Sequence, residues 1–382
     1  FEDELVKIWN KPKFVKNSNY VITLDRILSA CHSEQSEESI KLTEKILKHK
    51  NIDEQIKEWQ ELGIVDENFK VSDIFTTDLM SKHLSEKYQH LPIDTKYFKD
   101  LELEILSQFE DLDKSLDGWL IKSENYQALN TILPKFKEQV QTIYIDPPFN
   151  LDSSDQFLYR TNYKDANWAT LLENRLKLAK DWLDKKGSIF VRCDYNGNWI
   201  VRPIMDEIFG KELINEIQVN TTQKVFEGVH GYNIATNSLF WYGKNHDIYI
   251  SPQRVKRDDI YWLECHSGGE RRPPERIFFY KTLLPPKGRH WTFIQEKIEK
   301  MIEKGRIRIN EEKEYIDMNG NLVKGMPEYQ IAEQKLLTSN WTDIPGYTST
   351  TGFQTENSEK LLNRVIRTVS ESSDFIFDFF LG

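Results

Sequence analysis

The sequence predicts an α/β sheet with helices packed on both of its faces, and three observations carry that prediction. Val140–Ile145 (VQTIYI) is a short apolar run stopped by Asp146-Pro147-Pro148, where proline cannot continue a central strand. Trp168–Leu183 repeats apolar residues at helical spacing, and after Gly187 the run Ser188–Cys193 (SIFVRC) is again strand-like. Trp199–Phe209, closed by Gly210, and Asn237–Tyr242 (NSLFWY) extend the alternation of helix and strand that marks helices layered on a sheet.

The remaining segments arrange themselves around this core. Residues 1–115 predict a mostly helical region, with helical spacing over Ile40–Lys50, Asp53–Leu62 and Asp100–Phe109, and Cys31–Ser39 reads as a mobile polar loop. Residues 116–245 hold the first part of the sheet domain. Residues 246–339 lose its regularity at Gly268-Gly269, Pro273-Pro274, Pro285-Pro286 and Gly288, keep one helix at Phe293–Lys304, and read as an inserted module. In residues 340–382 the pattern returns, with a helix around Ser358–Ser370 and a strand at Asp374–Phe379.

Composition narrows the classes. The 382 residues give room for one large or two to three ordinary domains. The cysteines, Cys31, Cys193 and Cys265, form no C-x-x-C or Cys/His cluster, so a reduced, cytoplasmic protein without a metal site is expected. No apolar run approaches the roughly 18–20 residues of a membrane span. The start Phe1-Glu2-Asp3-Glu4 carries neither a signal peptide nor an initiator Met, so the chain is expected to begin inside a longer protein.

The net charge of −10 argues against a polyanionic partner only until it is mapped. Residues 1–115 hold 16 Lys and Arg against 24 Asp and Glu, whereas residues 251–310 hold 14 against 8. Tyr261, Trp262, Phe278, Phe279, Tyr280 and Trp291 are interleaved with those cations, the combination that phosphate neutralisation plus base contact needs. A solvated face around an ordinary core accounts for the same composition equally well.

The chemistry centres on Asp146-Pro147-Pro148-Phe149, at the carboxyl end of a buried strand where open α/β sheets place ligands. A proline-rich strand exit is the bland explanation. The alternative is coherent: an exocyclic amino group on a base is a poor nucleophile because its lone pair is delocalised. Two acceptors drawing on its N–H bonds, the Asp146 carboxylate and the Pro147 carbonyl, would localise that pair. The prolines would fix both acceptors, and Phe149 would offer a flat face to an extruded base.

DPPFN at 146–150, Phe157-Leu158-Tyr159, Trp168, Arg175-Leu176, Gly187–Val191, Asp194 and Met205–Gly210 together resemble the β-class amino-methyltransferases. Gly288–Trp291, Trp341–Ile344 and Thr355–Leu362 support this, and the resemblance is to modification subunits of type III restriction systems and related adenine-specific enzymes. The resemblance implies a Rossmann-like methyltransferase sheet with circularly permuted motif order. It makes residues 246–339 a target-recognition module and the final Asp378–Gly382 (DFFLG) the first half of a truncated cofactor motif. The implied reaction is transfer of a methyl group from S-adenosylmethionine to adenine N6 in duplex DNA.

Roles follow from the resemblance only where residues match. Asp146, Pro147, Pro148 and Phe149 would hold the adenine. Asp378, Phe380 and Gly382 would line the donor pocket, with Thr355 and Glu356 near its amino-acid end. From the basic stretch, Arg271, Arg272 and Arg289 are the expected DNA contacts. Double-stranded DNA is the implied partner, and restriction systems add a nuclease subunit and a second copy as partners that the residues leave open. Two other readings stand beside this one: cytosine N4 methylation, against which Asp146 argues, and a non-catalytic DNA-binding fragment. His230 is expected to be solvated, Trp168, Trp182 and Trp199 to be core, and Cys193 to be unreactive.

Overall fold

The computed structural model describes residues 18–29, 37–77, 82–150, 162–210, 212–221, 232–350 and 355–381. It packs into two compact units, Phe1–Ile132 and Leu133–Gly382. Among the described residues no helix is long and apolar enough to cross a membrane, and no cluster of His, Cys, Asp and Glu has metal-binding geometry.

The first unit is less purely helical than its sequence predicts. Helices Leu24–Ser29, Glu37–Leu47, Ile52–Glu61 and Glu102–Leu106 are joined by two short antiparallel ladders, Val21–Thr23 with Pro92–Asp94 and Phe75–Thr77 with Lys82–Leu84. They enclose a core around Trp59, Phe98 and Ile105, in which the Trp59 indole N–H donates to the Pro92 carbonyl at 2.8 Å. The expected loop at 31–39 ends earlier than its composition suggests, because Glu37 already begins a helix and Ser39 is buried in it. The rest of that segment, including Cys31, lies outside the described residues.

The second unit is built on a six-stranded sheet. Its strands are β1 (Val140–Ile145), β2 (Leu183–Cys193), β3 (Leu213–Asn220), β4 (Thr236–Gly243), β5 (Asn340–Pro345) and β6 (Phe375–Phe377), in the order β5-β3-β4-β2-β1-β6. Five strands run parallel, and β4 alone is reversed against both of its neighbours. Because side chains alternate along a strand, Tyr144, Phe190, Leu239 and Trp241 point to one face. There they meet Leu361, Val365 and Val369 of helix α3 (Glu359–Val369). Helices α1 (Asp165–Trp182) and α2 (Asn198–Phe209) cover the other face, and Phe209 rests on Tyr242 at 6.0 Å between ring centroids. This is the α/β sheet with helices on both faces that the sequence predicts.

Several strands were not legible, β5 among them. β3 (LINEIQVN) carries Asn, Glu and Gln between its apolar residues, which hides a strand buried at only part of its length. Residues 246–339 are richer in strand than their Gly and Pro pairs suggest: Ile307–Ile316 and Leu322–Gln330 form a long hairpin joined by Trp262–Glu264. Helix Gln295–Glu303 packs with it over a core of Cys265, Phe278, Trp291, Ile298, Met301 and Tyr315.

Of the three tryptophans expected in the core, Trp168 and Trp182 are buried, but Trp199 is 59% exposed. Trp199 sits at the start of α2, one residue after its first, where its indole N–H donates to the Asn196 carbonyl and its ring faces outward. Trp168 does more than fill space, because its indole N–H donates to the Pro148 carbonyl at 2.7 Å and so ties α1 to the loop after β1. Gly197 makes room for that ring: a Cβ there would lie 2.3 Å from it. Gly197→Ala is therefore expected to displace Trp168 and cost about 1–3 kcal/mol by overpacking, read as a lower urea midpoint. An unchanged midpoint would show that the Trp168 ring has room to move.

Candidate functional site

At the carboxyl ends of β1 and β2 the sheet carries ionic groups that its apolar interior would not otherwise tolerate. β1 and β2 pair in parallel with Ile145 opposite Val191, so the next residues out, Asp146 and Arg192, come together on the face of Tyr144 and Phe190. The Arg192 side chain is 0% exposed and that of Asp146 12%, with Arg192 Nη1 at 4.0 Å from Asp146 Oδ2.

The partners of this pair come from a distant part of the chain. Asn357, just before α3, donates from Nδ2 to Asp146 Oδ2 at 3.1 Å, and the Tyr347 hydroxyl donates to the same oxygen at 3.1 Å. The side-chain amide oxygen Oδ1 of Asn357 accepts from the Tyr144 hydroxyl at 2.8 Å and from Arg192 Nη1 at 2.9 Å. Arg192 also donates to the Gly346 carbonyl at 2.8 Å and stacks its guanidinium on the Tyr347 ring, 3.7 Å from the centroid.

The result is an asymmetric carboxylate. Oδ2 has two hydrogen-bond donors, while Oδ1 is buried and has no partner among the described residues. An unpartnered buried acceptor is costly, of order 1–3 kcal/mol, unless something arrives to use it. Burial pushes the Asp146 carboxyl above its usual range, while Arg192, Asn357 and Tyr347 pull it back. Burial also raises the Tyr144 and Tyr347 hydroxyls, so both remain neutral donors.

The rest of the Asp-Pro-Pro-Phe loop is held from the side. The Pro148 carbonyl is taken by Trp168, and no described hydrogen bond uses the Pro147 carbonyl. Asn150 donates to Asp165 at 2.7 Å, so the first residue of α1 also ties the loop. Phe149 is half-buried.

Of the other residues the sequence singles out, Asp378 follows β6, the parallel neighbour of β1. Burial pushes its carboxyl up to about 7, with the charge of Asp146 adding to the effect. Its Oδ1 accepts the Phe380 backbone N–H at 2.8 Å. Thr355 and Glu356 lead into Asn357, and the Glu356 side chain accepts from Thr350, so Asn357 is the residue of that run that reaches Asp146. Gly382 and His230 lie outside the described residues. Arg271, Arg272 and Arg289 are exposed on residues 246–339 and are not among the contacts of Asp146. Cys193 is buried and its thiol is pushed up by that burial, as an unreactive cysteine should be.

Arg192, Tyr347 and Asn357 escaped the sequence reading. One signal was present: a lone Arg in SIFVRC, a run otherwise apolar enough for a central strand, requires a buried anion or carbonyl. Three carboxyls, of Asp146, Asp194 and Asp378, stand with the Arg192 guanidinium at this end of the sheet, and burial raises all three above their usual range.

Comparison with known proteins gives this geometry a context. Residues 140–382 match a family described as DNA methylase. The "Probable type III restriction-modification enzyme HindVI Mod subunit" of Haemophilus influenzae is 37% identical over 115 residues, covering 30% of this chain and 15% of that protein. The type II methyltransferase M.EcaI of Enterobacter cloacae is 25% identical over 325 residues, covering 76% of this chain and 66% of its own length. The type III restriction-modification enzyme EcoP15I Mod subunit of Escherichia coli is 26% identical over 195 residues, covering 42% of this chain and 29% of its own. The chain thus spans between 15% and 66% of these relatives.

Arg192→Met tests the buried pair. Removing the guanidinium strands a buried carboxylate, with an expected cost of about 3–5 kcal/mol. The sign of its pH dependence follows from the raised Asp146 carboxyl: with Arg192 gone that group climbs further. The deficit is then full where Asp146 is ionised, at alkaline pH, and shrinks as the pH falls and the group protonates. Urea unfolding of both proteins at pH 5 and pH 8 measures it, and a deficit independent of pH would show that Arg192 acts through packing alone.

Proposed function

The chain belongs to the DNA methylase family, and from that premise we propose that the protein transfers a methyl group from S-adenosylmethionine to the N6 amino group of adenine in duplex DNA. The observation that carries the proposal is that, among the described residues, Asp146 Oδ1 is buried without a hydrogen-bond partner and no described hydrogen bond takes the carbonyl of the next residue, Pro147. Two fixed acceptors are what an adenine amino group, with two N–H donors, would satisfy.

A base inside a duplex cannot reach this carboxylate, so the target must be flipped out of the stack. Asp146 Oδ1 then accepts one N–H of the amine and the Pro147 carbonyl the other, which turns the nitrogen lone pair out of conjugation with the ring. Phe149 supplies a face for the base. Bound S-adenosylmethionine would supply an electrophilic methyl group, and Asp378 and Phe380 at the end of β6 are the described residues that would hold it. Asp146 is placed to receive the amine proton that becomes acidic as the nitrogen gains the methyl group, while the methyl–sulfur bond of the donor would break with its electron pair kept on sulfur, which would leave as a neutral thioether. The clamp of Arg192, Asn357 and Tyr347 fixes Oδ2 and leaves Oδ1 as the working atom, so the rate comes from orientation and not from a covalent intermediate.

We assign residues 246–339 to target recognition, with Arg271, Arg272 and Arg289 on phosphates. A restriction nuclease subunit as partner and a second copy of the chain are proposed on the strength of the type III relatives. Catalysis in the cytoplasm follows from the same reading, since the substrate and the methyl donor are found there.

Asp146→Asn keeps the shape of the carboxylate but removes its charge. It is expected to lower kcat roughly 10²–10³-fold, the loss typical of one preorganised electrostatic contact, with DNA affinity kept. Incubation of the full-length protein with labelled methyl donor and DNA, followed by digestion to nucleosides, should give N6-methyladenine. N4-methylcytosine as sole product would replace adenine by cytosine, and no incorporation at all would leave a DNA-binding protein without catalysis.

A further inference from the structure

Within residues 246–339 one tight turn is built from residues that such a turn disfavours. Strands Arg276–Phe278 and Lys281–Leu283 pair antiparallel with Phe278 opposite Lys281, so Phe279 and Tyr280 form a two-residue hairpin loop. Both have left-handed backbone, φ +50° and +80°. Loops of this kind prefer Asn-Gly or Asp-Gly, because a side chain with a Cβ crowds its own carbonyl there. Two bulky aromatic residues are a poor solution for the turn itself.

They are also poorly placed for packing. Tyr280 is fully exposed and Phe279 is 38% exposed. Meanwhile the base of the hairpin is held rigidly. Phe278 is buried against Trp291, 4.9 Å between centroids. The Gln295 side chain bonds both the N–H and the carbonyl of Ile277, at 2.8 and 3.1 Å. Buried Arg276 donates to the Pro273, Glu275 and Phe293 carbonyls. A strained aromatic tip on a braced hairpin is a local conflict of the kind that marks a functional site.

Charge indicates what the tip meets. Residues 271–289 contain six Lys and Arg and a single Glu. Lys281 follows the tip directly, and exposed Arg271, Arg272 and Arg289 lie in the segments entering and leaving the hairpin. Exposed cations flanking a projecting aromatic ring in sequence fit a polyanion that carries stackable faces.

We propose that Tyr280, carried at the tip of this hairpin, is a wedge that enters the DNA duplex and stacks on a base. This rests on the methylase reading for the identity of the partner. A wedge of this sort unstacks a base step and bends the duplex, which lowers the work of extruding a nucleotide.

The test uses the full-length protein and a fluorescent random-sequence duplex, titrated over a range of salt concentrations. Tyr280→Ala should weaken binding by roughly 5- to 150-fold, the range for loss of one base–aromatic stack. Its salt slope should stay unchanged, because no phosphate charge is lost. Tyr280→Trp should restore affinity. The double variant Phe279→Asn with Tyr280→Gly should raise Tm, by relieving the turn, while binding as weakly as Tyr280→Ala. Wild-type affinity in Tyr280→Ala, or equal loss in Tyr280→Ala and Tyr280→Trp, overturns the wedge alone. A wild-type protein that binds no duplex overturns the methylase reading and the wedge with it.

Discussion

The site depends on one ion pair, buried where β1 and β2 end. A carboxylate taken out of water near an apolar sheet stays ionised only if charge and hydrogen bonds replace its hydration. Here Arg192 supplies the charge, and Asn357 and Tyr347 supply the bonds, but to Oδ2 only. Two of the guanidinium nitrogens, Nε and Nη2, have no hydrogen-bond partner among the described residues, and the guanidinium lies against the Tyr347 ring. The pair is thus incompletely satisfied on both sides. A structural ion pair would be closed with further hydrogen bonds, whereas an open one keeps an acceptor available at a fixed position.

The same network explains why residues so far apart in sequence must fold together. Tyr144 and Asp146 come from β1, Arg192 from β2, and Tyr347 and Asn357 from the segment between β5 and α3. An isolated bridge between Tyr347 and Asn357 closes that segment on itself, and Gly346 bonds the Asn220 carbonyl at the end of β3. Reversal of β4 lets β5 and β3 run parallel to β1 and β2, so four strands deliver their carboxyl ends to one edge. Sheet topology here is what assembles the carboxylate's surroundings.

The sequence made the sheet legible because its central strands are unambiguous. VQTIYI and NSLFWY are buried along almost their entire length, and α1 shows helical spacing without interruption. β3 was missed for the opposite reason, since partial burial admits Asn, Glu and Gln and erases the pattern. Asp146 could be picked out because proline marks the strand end chemically. Tyr347 and Asn357 could not, since an exposed loop residue and a buried one look alike until the fold brings them, 201 and 211 residues from Asp146 in sequence, within hydrogen-bond reach of it. Trp199 failed in the other direction: at about 100° per residue it lies on the side of α2 opposite Val201, Met205 and Ile208, which form the buried face of that helix.

Gly346 shows how tightly the network constrains the backbone around it. A Cβ at that position would fall 2.3 Å from Arg192 Nη2 and 2.6 Å from the Asn220 carbonyl oxygen. Neither neighbour can yield cheaply, because Arg192 is sandwiched between the Tyr347 ring and the sheet, and the Asn220 carbonyl already accepts the Gly346 N–H at 2.7 Å. The glycine is needed here for close approach and not for an unusual φ. Its carbonyl holds Nη1 while its missing side chain lets Nη2 pass, so the guanidinium has one available orientation, and through Asn357 that orientation sets the position of the Asp146 carboxylate.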